Sequence, residues 1–543
     1  MTGVKQYQED GKLTLILVVA VFISVFGSSF QYGYNIAVMN APAPLMQSFF
    51  FGTGMSSVEV ELQSNNTSNT TTSVPTQPQN SSLNAIETTP GTANATSSVE
   101  SSELTTSQLF MWSFTVSIYT VGGMVGSYLT GVCIKYLGRK GAMLAANALS
   151  ITAAILEGTS KAANSLEMVI IARFLLGIFA GLATGVVPLY NGEISPKKIR
   201  GAIGVVSQLF ITVGILTAQL LSLNEAMGTE ELWPLLLAFT AVPSITQLCV
   251  LPFIPESPRC LLLDKNDQGK ARAALIRFRG TNNVAAEIQE MKAEAAAETA
   301  TRQLSVMELI RDRYVRWQLI SIVVLQITQQ LCGINAIFFY LNTIFEAAGV
   351  PEETRNYASV GVGSVNTLMT IVSVLLMDRA GRKALLAGGY AISGVFCALM
   401  TVSLTLQDQI SWMSNMSIAC VIGFIVGFAI GPGPVPWILT AELFRQSGRP
   451  AASAIGCGVN WTSNFILALV FPFMQKAMGS YVFVFFLVIC VIATAYVMIV
   501  LPETKNETFQ DISLMFAKRN GIQKNTIEMD NIDDEANRPI VKR

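Results

Sequence analysis

Twelve long apolar runs constrain this chain more than any other feature. Their approximate boundaries are 13–38, 108–134, 141–158, 165–190, 203–223, 233–253, 317–345, 357–377, 384–406, 416–441, 451–475 and 480–501. A helix crosses a bilayer with about 20 mostly apolar residues. Lipid leaves no exposed backbone polar group satisfied, so each run is expected to be a helix. The runs are too long and too many for a soluble core. Composition agrees: 13% of residues are charged, against about 25% in soluble domains, and mean hydropathy is +0.48. A disordered chain, a nucleic-acid binder and a secreted disulfide scaffold are all excluded. The first run is too long for a cleavable signal peptide, lacks a strong basic start, and continues into Gln31 and Asn35. The expected fold is an all-α membrane protein with twelve transmembrane helices.

The basic residues orient it. None lies between Lys12 and Lys135. With both termini cytoplasmic, the outer loops hold Lys161, Arg355 and Lys476, Arg173 lies within a span, and every other Lys and Arg falls inside. The Ser/Thr/Asn-rich segment 45–107 then faces out. It carries sequons at Asn65, Asn66, Asn69, Asn80 and Asn94, the expected glycosylation sites. Asn415 is a further outer candidate, whereas Asn460 and Asn506 fall in a span and the cytoplasm and should stay bare. The cysteines sit in or beside spans or the inner loop, which disfavours a structural disulfide. With no histidine in the chain, no Cys/His metal cluster is possible, and no cofactor is expected.

The chain is also a duplication. Gly138-Arg139-Lys140 recurs as Gly381-Arg382-Lys383, Pro255-Glu256-Ser257 as Pro502-Glu503-Thr504, and the Glu193/Arg200 spacing as Glu442/Arg449. Each motif ends a corresponding span at the inner face. Gly33-Tyr34-Asn35 matches Gly333-Ile334-Asn335 at a larger offset, as an inserted outer loop would produce. The expected divisions are 1–44 (cytoplasmic N-terminus and first span), 45–107 (outer loop), 108–255 (rest of the first six-helix half), 256–316 (cytoplasmic linker helices), 317–501 (second half) and 502–543 (cytoplasmic tail, reading as disordered). Two parallel six-span repeats are the plan of a secondary transporter rocking about a central site.

These motifs, with Pro188-Leu189-Tyr190-Asn191-Gly192-Glu193, Gln329-Gln330-Leu331-Cys332-Gly333-Ile334-Asn335-Ala336 and Gly431-Pro432-Gly433-Pro434-Val435-Pro436-Trp437, resemble the sugar porters of the major facilitator superfamily over nearly the whole length. Within that group the chain is similar to animal facilitative hexose transporters (solute carrier family 2). Gly27-Ser28-Ser29-Phe30-Gln31-Tyr32-Gly33-Tyr34-Asn35 looks like the fructose-type class II branch. The resemblance implies a plasma-membrane carrier working by alternating access, with a hexose and the lipid bilayer as partners and no nucleic acid, functional as a monomer. It also implies a conformational switch at the inner face: Arg139, Glu193 and Arg200 in the first half, and Asp378, Arg382, Glu442 and Arg449 in the second, locking the halves when the site faces out.

A sugar's hydroxyls both donate and accept, so its site calls for amides and an aromatic face. The spans offer Gln208, Gln329, Gln330, Asn335, Asn366, Trp437, Asn460, Trp461 and Asn464, and the resemblance carries sugar contact onto the same positions. Gln329 and Gln330 point about 100° apart on an ideal helix, so both border one cavity only if the helix breaks near Gly333. Gly431–Pro434 should break the tenth span likewise. Glucose-type relatives carry a Glu where Ala429 stands, and fructose-type relatives replace Trp437 and carry His at Asn460, so the pocket is mixed. Proton-coupled relatives carry Asp where Asn35 stands. The first span holds no acid, which points to uniport; Glu157, near the outer end of the third span, is the remaining candidate acid. The alternatives are urate or another organic anion as cargo, and a sugar sensor without flux. An enzyme is not expected.

Overall fold

The computed structural model describes residues 13–52, 104–300, 304–445, 447–505 and 509–520. The sequons at Asn65, Asn66, Asn69, Asn80 and Asn94 lie outside the described residues, as does the side chain of Asp378.

Ten helical stretches are long and apolar enough to cross a bilayer. Eight are single: Leu15–Ala37, Leu166–Ile194, Lys197–Leu221, Trp233–Phe253, Arg316–Ala347, Glu352–Met377, Arg382–Leu406 and Met413–Thr440. The other two, Thr106–Ser160 with 55 residues and Arg449–Ile499 with 51, are double length. Each reverses at a glycine with positive φ, Gly138 (78°) and Gly479 (53°), a backbone that L side chains resist. The ten stretches therefore make twelve spans, numbered below in chain order. Six precede and six follow a linker containing helices Gln268–Arg279, Ala285–Ala300 and Val306–Arg311.

Two elements differ from the sequence reading. Span one is not a plain α-helix: Val25–Phe30 forms a π-helical turn. Gln31 donates to the Gly27 carbonyl (2.6 Å) and to Ser244 (2.8 Å), and Gln247 packs where a Gly27 side chain would be. Such bulges shift the helix face that follows; here Ser29 and Tyr32 turn toward a central cavity. Part of the tail is also ordered. Helix Phe509–Asn520 buries Ile512 and Phe516, and Arg519 donates to the Val500 (2.6 Å) and Ile499 (2.5 Å) carbonyls that span twelve leaves open.

Spans two and four meet along reciprocal glycines. A Cβ on Gly177 would fall 2.0 Å from the Tyr119 carbonyl oxygen, and one on Gly122 2.2 Å from that of Phe174. Gly126 and Gly181 are equally tight, at 2.1 and 2.2 Å from Ile178 and Gly123 oxygens. In lipid, small residues allow this close backbone approach, and packing there supplies the association. Gly177→Leu is accordingly expected to lower detergent-extracted monomer yield severely, read by fluorescence size-exclusion chromatography, whereas Gly192→Leu, where nothing lies within 4 Å of the added Cβ, should behave as wild type.

Candidate functional site

The two halves enclose a cavity of about 1140 Å³. Its depth is set by Tyr32 of span one, Asn460 and Trp461 of span eleven, and Gly433 in the break of span ten. Its mouth is set by Pro188, Gly201, Met377 and Pro450, so it opens at the face that carries the duplicated charged motifs. The outer side is closed. Asn342 of span seven donates its backbone N–H to Asn40 of the first half (2.9 Å), and its side chain bonds Asn356 (2.8 Å) and Ser359 (2.7 Å). Tyr357 donates to Glu225 across the halves (2.8 Å). With the charged-motif face cytoplasmic, as the basic residues predict, this is an inward-open state.

Two broken helices shape the deep end. Span seven breaks after Leu331, with Gly333 at φ 107°. Span ten stops at Ile430 and resumes at Val435. Backbone is left open at membrane depth, which is tolerated where it lines a cavity or finds a side chain. Gln329 supplies that: its Nε2 donates to the Pro432 (2.9 Å) and Gly433 (2.7 Å) carbonyls.

The amides form one network centred on Asn460. Its Nδ2 donates to Gln326 (2.8 Å) and Gln329 (2.6 Å), and its Oδ1 accepts from Gln330 (3.1 Å). Gln330 in turn accepts from Asn335 (2.6 Å). Neighbouring Gln329 and Gln330 thus converge on one partner despite their helical angle. Gln326 is a member that amide-counting passed over; its place one helical turn before Gln330 was the available signal.

Of the nine candidates, Gln208, Trp437, Asn460 and Trp461 line the cavity. Gln329, Gln330 and Asn335 join it through Asn460. Asn366 and Asn464 are buried outside the lining, and Asn464 Oδ1 has no hydrogen-bond partner among the described residues. Trp461 lies over Gly123 of the first half and 6.0 Å from the Tyr32 ring, making an aromatic roof.

At the inner face, the duplicated motifs build two matching charge clusters. Arg139 pairs with Glu193 (2.8 Å) and with Asp264, and Ser257 donates to Glu193. Arg382 pairs with Glu442 (3.1 Å), which accepts from Thr504 (2.6 Å). Glu256 and Glu503 each accept the backbone N–H groups after the motif glycine: Lys140 (3.0 Å) in one half, Arg382 (2.9 Å) and Lys383 (3.1 Å) in the other. A Cβ on Gly138 or Gly381 would sit 2.6 Å from those carboxylates, so the glycine serves both the turn and the acid. The repeated Pro-Glu-Ser/Thr had marked Glu256, Ser257, Glu503 and Thr504, but not their role. Arg200 and Arg449 stand apart: both are exposed, and neither pairs with Glu193 or Glu442 among the described residues. No pair in the two clusters joins the two halves; Arg139–Asp264 and Ser257–Glu193 tie the first half to the linker.

The family model described as "Sugar (and other) transporter" matches residues 20–516. The chain belongs to the sugar transporter family. Relatives include the solute carrier family 2, facilitated glucose transporter member 5 of Equus caballus, 45% identical over 95% of this chain and 95% of that protein. The protein of the same description from Homo sapiens is 43% identical over 96% of this chain and 95% of its own length. Member 9 from Mus musculus is 41% identical over 97% and 90%. Among solved structures, the partially occluded inward-open xylose transporter XylE of E. coli superposes with TM-score 0.70 at 20% identity, covering 91% of this chain and 100% of that one. That likeness establishes the twelve-helix major facilitator fold. The protein is a multi-pass membrane transporter and not an enzyme.

Proposed function

We propose that this transporter is a plasma-membrane uniporter for hexoses, glucose and fructose being the sugars to test first. One observation carries the reading. Among the described residues, no Asp, Glu, Lys or Arg lines the cavity; its polar side chains are all neutral: hydroxyls, the Cys457 thiol, the indoles of Trp437 and Trp461, and the amides of Gln208 and Asn460. Neutral groups that both donate and accept suit a polyol, while an anion calls for a cation or a helix N-terminus. Arg173 is absent from the lining, which argues against urate. Asn35, in span one, cannot exchange a proton. Relatives described as facilitated glucose transporters add support for a sugar.

The test is counterflow into proteoliposomes preloaded with unlabelled solute. Labelled glucose or fructose is expected to accumulate transiently, labelled urate not, and a lumenal pH dye should stay flat. Urate counterflow without hexose counterflow overturns the cargo; lumenal acidification in step with sugar overturns uniport.

A further inference from the structure

The outer part of the first half holds an acid and a base that no part of the sugar pathway uses. Glu157 of span three is fully buried, and neither carboxylate oxygen has a hydrogen-bond partner among the described residues. Arg173 of span four is fully buried too. Its Nη1 donates to the Asn35 carbonyl of span one (2.8 Å) and its guanidinium lies 4.5 Å from the Tyr119 ring centroid, while Nε and Nη2 have no partner among the described residues. The two groups feel each other electrostatically, yet they form no ion pair.

The other groups around them are known. Span one presents Tyr34, whose hydroxyl donates to the Leu236 carbonyl (2.6 Å). Span two presents Tyr119, which donates to the Tyr32 carbonyl (3.2 Å). Span seven brings Tyr340 into the range of Arg173, donating to the Ala468 carbonyl (2.9 Å). On the helix of Glu157 itself, Lys161 points away, to the Glu230 carbonyl (2.6 Å). Arg173 is the one cation facing Glu157 among the described residues.

A carboxylate held in this setting as an ion, without a donor, is costly. Two arrangements relieve the cost. Either a proton occupies Glu157, with Arg173 left to Asn35 and Tyr119 as observed, or Glu157 ionises and draws Arg173 off the span-one carbonyl into a direct pair. We propose that Glu157 is a proton-binding site, occupied in the inward-open state and emptied as Arg173 changes partner, so that proton occupancy biases the transport cycle through span one. The site is not part of the cavity lining, and it lies one turn from the outer helix end at Ser160. Its proton exchanges with the outside and does not travel with the sugar, so the device tunes a uniporter.

The sign follows. Raising external pH empties the site, breaks the Arg173–Asn35 link and depopulates the inward-open state; lowering it does the reverse. Two measurements on the full chain test this. Infrared difference spectra of the reconstituted protein, acid minus alkaline, should show a buried carboxylic-acid band that Glu157→Gln removes. Hexose exchange in oocytes should change about fivefold or more between external pH of about 5.5 and 8, a typical coupling magnitude. Glu157→Gln should exchange sugar with a flat pH profile. Absence of the band from wild type, or its persistence in the variant, overturns the proposal whatever the cargo. A variant profile as steep as wild type overturns it as well.

Discussion

Replacing Asn460 with leucine is expected to reduce sugar counterflow by about 10- to 100-fold while leaving a folded, monodisperse protein. The reason is local. Leucine keeps the branched heavy-atom skeleton but removes one donor group and one acceptor, stranding Gln326 Oε1, Gln329 Oε1 and Gln330 Nε2. Each buried polar group left without a partner costs about 1–3 kcal/mol. The stranded amides then seek other partners, and Gln329 is at the same time the cap of the span-ten break through Pro432 and Gly433. The variant should therefore lose both the sugar-facing amide and the arrangement of its neighbours. Gln208→Leu, on the opposite wall and outside the network, is expected to cost less, about tenfold or under by the same accounting. Counterflow and tryptophan-fluorescence titration with glucose and fructose check both. If the leucine variant at 460 binds and exchanges as wild type does, the network serves only to join spans seven, ten and eleven.

The membrane spans were readable because their cause is compositional. An apolar run of bilayer length admits one structure. The duplication was readable because Gly138 and Gly381 occupy a conformation and a space that only glycine fits. What escaped the sequence is set by three-dimensional partners. The π-turn at Val25–Phe30 depends on Gln247 and Ser244, more than 200 residues away. The tail helix is held by Arg519 on carbonyls of span twelve, and nothing in residues 509–520 alone requires that docking. For the site, residue type found the amides, but not which of them share a hub. Asn366 and Asn464 have the same chemistry as Asn460, and only the packing puts them outside the cavity wall. Charge clusters were legible as repeated sign and spacing; that Arg200 and Arg449 stand outside them was not, because spacing along the chain does not say which carboxylate an arginine reaches across a loop.

Glu442→Gln is expected to slow hexose exchange about tenfold or more, and Glu193→Gln to do so at least as strongly. In the inward-open state Glu442 accepts from Arg382 Nε (3.2 Å), Arg382 Nη2 (3.1 Å) and Thr504 (2.6 Å). The first-half pair is drier, with Arg139 and Glu193 side chains 9% and 8% exposed against 19% and 27% for Arg382 and Glu442. Removing one partner of a buried pair costs about 3–5 kcal/mol, and less as water reaches it, which orders the two effects. A local staple would weaken every state alike and change stability more than rate. A switch must favour one state over another. Since none of these pairs joins the two halves, the switch requires a cross-half partner that only the outward-facing state supplies. Arg200 is a candidate of the right sign in the first half: exposed, at the start of span five at the face that carries the charge clusters, and outside every ion pair among the described residues. The expected result is that Glu442→Gln and Arg200→Gln couple, with a double-mutant interaction of about 0.5–3 kcal/mol in exchange rate, and that both raise labelling of a cysteine placed at Met377 on the inner mouth. Additive effects with unchanged labelling would leave the clusters as staples of their own halves, and the inner-face switch would be ruled out.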